Sequence, residues 1–170
     1  MLGALFAALI NALAALFKGA IGPLVDRPEP EEPGGEEPAG VLFVTDTSRQ
    51  ITTHFNASEF VCIDKSEPFR ISLRLVEGLE GFRARIGGPL RVNSGFRTRA
   101  HNARIGGVPN SYHTKGMAAD LGNPSGMAVT EFHRRARAYW LDTGRGGLGL
   151  YPWGVHVDIG PSKVWREGIS

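Results

Sequence analysis

The chain has little sulfur, few acids over most of its length and no long uninterrupted apolar run. One cysteine, Cys62, stands in 170 residues, so an intrachain disulfide and a thiolate metal cluster are both excluded. It lies between Phe60-Val61 and Ile63, a setting that favours a small buried thiol over a nucleophile. The first uncharged run, Met1 to Phe17, falls short of the about 20 residues a bilayer span needs, although Gly19 to Val25 would extend it past Lys18. A basic helix, an RNP motif and zinc-finger spacing are all missing, which argues against nucleic acid as a partner. The acids are unevenly placed. Asp26, Glu29, Glu31, Glu32, Glu36 and Glu37 precede Val41, leaving 17 basic against 11 acidic residues from there onward, a net +6. That excess favours an anionic partner such as cell-wall polymer or lipid headgroups.

Three segments follow from what is present. In residues 1–25, Leu2, Leu5, Phe6, Leu9, Ile10, Leu13, Leu16 and Phe17 recur at helical spacing, with alanine and glycine on the other face. This is expected to be an apolar helix acting as a membrane anchor or a signal-like segment, with an amphipathic helix on a membrane surface or on the domain as the other reading. It lacks the basic n-region of a secretory signal. Residues 26–40 form an acidic linker rich in proline and glycine, and from Pro28 on they contain no apolar side chain large enough to pack. Residues 41–170 are expected to fold as one domain.

Within that domain, Ser66-Glu67-Pro68 reads as a helix start, and Ile71, Leu75, Leu79, Phe82 and Ile86 continue at helical spacing to a stop at Gly87-Gly88. Pro89 to Ser94 alternates like a strand, a short helix is predicted near Ala100 to Ile105, and a longer one over Ala128 to Leu141. Gly147 to Tyr151 and Val155 to Ile159 read as two more strands. Helices and strands intermixed without a βαβ repeat predict an α+β domain.

The residues able to carry chemistry cluster in two places. His113 and Asp120 would fall on opposite faces of a continuous strand, but Lys115-Gly116 breaks it and lets a turn bring both to one point. His156 and Asp158 alternate with Val155, Val157 and Ile159, which puts both polar side chains on one strand face and the apolar ones on the other. Two imidazoles and a carboxylate are a sufficient protein ligand set for a zinc ion with one position open. Asp158 has two readings, a proton-transfer group or a residue that fixes His156.

Ser94-Gly95-Phe96-Arg97, His101-Asn102, Gly106-Gly107, the Ser-x-His-x-x-Gly-x-Ala-x-Asp run from Ser111 to Asp120, Gly147 to Pro152 and Val155 to Pro161 together resemble the M15 zinc peptidases. The likeness is to the D-alanyl-D-alanine carboxypeptidase-like branch, and Thr53 to Phe60 is similar to its entry segment; the match runs from about Ile51 to Trp165. The resemblance implies the hedgehog/D,D-peptidase fold, a single catalytic domain with a small antiparallel sheet and flanking helices. It implies one Zn2+ on His113, Asp120 and His156, with Arg97 near the substrate as a carboxylate clamp or oxyanion partner. It further implies peptidoglycan peptides as partners, a cell-envelope, periplasmic or extracellular setting, and cell-wall remodelling or lysis, of bacterial or phage origin. Ser111, Tyr112 and Trp153 are expected to line the substrate side. Relatives commonly carry an acid three residues before the last zinc histidine or a histidine two before it; here Trp153 and Gly154 hold those positions. Asp158 is therefore expected to act as the general base or acid. The same gap motivates a rival from another class, a peptidoglycan-binding or assembly module that keeps the metal without catalysis.

Overall fold

A computed structural model describes residues 40–65 and 69–169. The apolar segment 1–25 and all but the last residue of the acidic linker lie outside them, as does the Ser66-Glu67-Pro68 helix start. No helix among the described residues is long and apolar enough to cross a membrane.

The chain opens on strand β1 (Val41–Val44), which pairs antiparallel with β2 (Phe69–Ser72) in the register Leu42 to Ile71. Ile71 is thus a strand residue, and the helical spacing read through it was a coincidence of phase with Leu75. Helix α1 (Leu73–Ile86) starts only after Ser72, and it buries Leu75, Val76, Leu79, Phe82 and Ile86. It ends where expected, on Gly87 in the left-handed region at φ 77°, whose N–H donates to the Arg83 carbonyl at 3.0 Å.

The larger sheet has the order β3-β4-β6-β5-β7. Its strands are β3 (Arg91–Ser94), β4 (Ala118–Gly122), β5 (Leu148–Tyr151), β6 (Gly154–Asp158) and β7 (Val164–Arg166). All pairs are antiparallel except β5 with β7, a parallel pair contributed by a short strand that sequence alternation did not reveal. One face of this sheet, carrying Ala119, Leu121, Leu148, Leu150, Val155 and Val157, is fully buried. Helix α3 (Val129–Ala136) covers that face and runs directly into a π-helical turn, Arg137–Leu141. The short helix α2 (Arg99–Arg104) links β3 to the metal-side loop.

Two glycines of α1 let the π-helical turn come close. A Cβ at Gly78 would lie 2.9 Å from the Trp140 indole, and one at Gly81 would lie 2.0 Å from the Tyr139 hydroxyl. Phe82 stacks between Phe132 and Tyr139, with ring centroids 5.7 and 5.5 Å apart. The fully buried Trp140 then donates its indole N–H to the Asp158 carbonyl at 3.0 Å, which ties the core to the strand that carries His156. The result is the α+β architecture the sequence predicts, with the opposite sheet face left for chemistry.

Candidate metal centre

Sheet register builds the site. Asp120 of β4 pairs directly with His156 of β6, so both side chains rise from the same face. His113 arrives from a 3-10 turn, Tyr112–Lys115, just before β4. Gly116 closes that turn at φ 68°, and a Cβ there would sit 2.3 Å from the Arg70 carbonyl oxygen, so the reversal demands glycine. The break expected at Lys115-Gly116 is what brings His113 back over Asp120.

Three donor atoms converge. His113 Nε2 lies 3.2 Å from Asp120 Oδ1 and 3.2 Å from His156 Nδ1, and the last two are 2.9 Å apart. A tetrahedral zinc with arms of about 2.0–2.1 Å has ligand edges of about 3.3 Å, so this triangle fits one face of its coordination sphere. The hydrogen bonds on the far sides of both rings leave the metal-facing nitrogens as lone pairs. His113 Nδ1 is 2.6 Å from the Gly95 carbonyl, which can only accept, so the proton sits on Nδ1. His156 Nε2 faces the Asp158 carboxylate at 3.3 Å, and a proton there frees Nδ1. Two bare nitrogens and a carboxylate oxygen at such separations repel one another unless a cation or proton lies between them. The residues therefore fit the ion implied by the donor set.

The electrostatics agree. For Asp120, burial opposes ionisation, but hydrogen bonds and charge from His113 and His156 outweigh it and hold the carboxyl well below the usual range. Burial pushes the His113 imidazole below its ordinary value despite Asp120. Burial also disfavours the charged His156, yet its bonds to Asp120 and Asp158 prevail and raise it.

The Peptidase M15 family model matches residues 46–158, more than half of the chain and a span that contains all three donors. The chain belongs to the M15 peptidases. Its domain is that of a metallopeptidase, and the family is zinc-dependent. Among curated proteins none matches it.

In this M15 domain the remaining expected residues fall at different distances from the centre. Arg97 is part of it: one guanidinium amine donates to Asp120 Oδ2, and its Nε–H donates to Ser94 Oγ at 2.9 Å. Asp120 thus offers one oxygen to the metal position and the other to Arg97. Asp158 is 1% exposed and lies behind His156, on the ring edge away from the donor triangle. Its Oδ1 accepts from the N–H groups of Gly160 at 2.8 Å and Gly147 at 3.2 Å. Of the two readings open to Asp158, these contacts match the one that fixes His156. Burial would raise its carboxyl, but His156 and those two N–H groups keep it lowered.

Ser111 caps the turn that presents His113, its Oγ accepting from the His113 N–H at 3.3 Å. Tyr112 packs over Gly160, where a Cβ would come 2.3 Å from its ring, and holds Lys115 Nζ at 5.3 Å. Trp153 is 43% exposed and stacks on Tyr151 at 4.8 Å. None of these three joins the donor triangle among the described contacts.

Sequence reasoning missed several neighbours. A bulge between Val92 and Ser94 places Ser94 opposite Asp120. Gly95 must be glycine because a Cβ would lie 2.6 Å from the Phe60 Cα, and this tight approach aims its carbonyl at His113. Trp165 of β7 sits against His156 with centroids 5.3 Å apart, and its N–H donates to the Tyr151 hydroxyl at 3.0 Å. A lone tryptophan in a three-residue strand offers no periodic signal, whereas Gly95 lay inside a motif already singled out.

Proposed function

We propose that the protein is a zinc-dependent peptidase hydrolysing peptidoglycan stem peptides or cross-links, of D,D-carboxypeptidase or endopeptidase type. On this reading it works in the cell envelope or outside the cell, in wall remodelling or lysis, held to a membrane or exported through residues 1–25. The observation that carries the proposal is the donor triangle with both imidazole tautomers fixed from behind. Zinc at this position supplies a Lewis acid for the scissile carbonyl and lowers the pKa of bound water to about 7.

The chain's own residues supply the rest. Gly95 and Asp158 hold the two imidazoles in orientation, so binding costs little reorganisation. Arg97, anchored on Ser94 and Asp120, is a fixed cation beside the reacting position, suited to a substrate carboxylate or to developing oxyanion charge. Trp165 and Tyr151 lie on the same sheet face, since Trp165 pairs with Gly149 and Gly149 with His156; they form an aromatic wall beside His156.

Purified protein loaded with zinc is expected to release D-alanine or split muropeptides, and to lose that activity on chelation or in His113→Ala. Failure to turn over any peptidoglycan substrate with zinc bound would refute the proposal. One observation favours the second reading, a wall-binding module that does not cleave: Trp153 and Gly154 cannot move a proton, and both Asp158 oxygens are engaged away from the metal face. Binding to intact peptidoglycan without release of any peptide would select it.

A further inference from the structure

A second concave site lies on the opposite face of the sheet. Gly149 shares the metal face with His156, so its neighbours in β5 and β7, Leu150 and Arg166, paired with each other, point the other way. There, a cavity of about 320 Å³ opens beside α3. Leu150 and Ile169 give it apolar surface, while His133, Arg134, Arg137 and Arg166 give it polar and charged surface. The volume is at the lower end of small-ligand sites, which run about 300–1,000 Å³.

The charge in this cavity is only partly compensated. Arg134 is matched by Glu131 through two hydrogen bonds of 2.8 Å, and Arg135 adds a third to the same carboxylate at 2.7 Å. Those bonds push the Glu131 carboxyl down to about 2. Among the described residues, the side chains of Arg137 and Arg166 have neither a hydrogen-bond nor an ion-pair partner. His133 is fixed in place, its Nε2–H shared between the Tyr151 carbonyl at 3.0 Å and the Gly154 carbonyl at 3.1 Å. Two unmatched guanidinium groups beside one small, largely apolar cavity suit an oxyanion with several acceptor oxygens and a short carbon skeleton.

The geometry points to a binding site for a small phosphate-bearing group of glycerol phosphate type, its phosphate held by Arg137 and Arg166 and its carbons laid on Leu150 and Ile169. The same chemistry comes free in solution or as the headgroup of an anionic lipid. The site shares no residue with the metal centre and does not depend on the peptidase reading.

The test uses the full chain loaded with zinc. Calorimetric titration with glycerol 3-phosphate and with inorganic phosphate is run beside co-sedimentation with phosphatidylglycerol and phosphatidylcholine vesicles. The parent is compared with an Arg137→Gln, Arg166→Gln double variant. Both positions are exposed, and an unchanged thermal midpoint confirms the fold. Loss of two charge-assisted contacts predicts at least about a tenfold weakening for the phosphate probes, with zinc content unchanged. Weakening for the soluble probes assigns a free ligand; weakening confined to phosphatidylglycerol vesicles assigns a headgroup. An Arg137→Lys, Arg166→Lys variant should recover part of the affinity, since charge is kept and the fork is lost. Equal affinity of parent and Gln variant for every probe, or no binding of any probe at about 10 mM, overturns the assignment.

Discussion

Replacing Asp158 with Asn separates orientation from proton transfer. The carboxylate oxygen facing His156 Nε2 at 3.3 Å accepts its proton, while the other accepts from Gly160 and Gly147. Asn keeps an oxygen for the two backbone donors and thereby turns its NH2 toward His156. Two donors then oppose each other, and the ring escapes by moving its proton to Nδ1, the atom that must be bare to bind metal. Loss of such an outer partner typically costs 10–100-fold in metal affinity, which is about 1.4–2.7 kcal/mol. Asp158→Asn is therefore expected to weaken zinc binding by that factor in a chelator competition assay. At saturating zinc its kcat should return to within about tenfold of the parent. A general base would behave in the reverse way, with zinc affinity unchanged and kcat down by about 10²–10⁴ at any zinc concentration. Unaltered zinc affinity in Asp158→Asn would refute the orienting role.

Further outcomes follow from the same contacts. Arg97→Ala removes a partner of Asp120 and should weaken zinc by about 10–100-fold; at saturating zinc it should still lose about 10²–10³ in kcat/KM, the scale of a lost oxyanion-type donor, as measured on a soluble muropeptide. Gly95→Ala forces a Cβ against the Phe60 backbone and should cost about 1–3 kcal/mol in denaturant unfolding, together with weaker zinc binding because its carbonyl orients His113. Zinc at about 100 times its Kd should stabilise the domain by about 2.7 kcal/mol, visible as a thermal midpoint that falls on chelation and recovers on zinc addition. Zinc affinity should also decline with acidity. His156 has a raised pKa and must lose its proton to ligate, so competition starts at higher pH than for an ordinary histidine; an affinity flat from neutral pH to pH ~5 would contradict this.

The donor set was legible because its signal is local. A turn at Lys115-Gly116 and the alternation Val155-His156-Val157-Asp158 mark which side chains can share a face, while the pairing of Asp120 with His156 that brings them together is a property of the sheet register. Both readings of Asp158 were legible, but not which of them its contacts match, since that depends on which imidazole nitrogen His156 presents to the metal position. Ile71 shows the converse: its helical spacing from Leu75 predicts helix, but pairing with Leu42 makes it strand. Trp165 had no readable pattern because its strand is three residues long and finds its place only through β5. Ser111, expected on the substrate side, has a second task with no signal in the sequence, capping the turn that carries His113.

The direct pairing of Asp120 with His156 has a consequence for how the sheet assembles. Slipping β6 by one residue against β4 would turn His156 into the core and bring Val155 or Val157 to the metal side, so the wrong alignment can neither bury its apolar residues nor coordinate an ion. Core packing and ligation thus check the same alignment independently, and a zinc ion captured late in folding would act as a proofreader, retaining only chains whose strands have met in register.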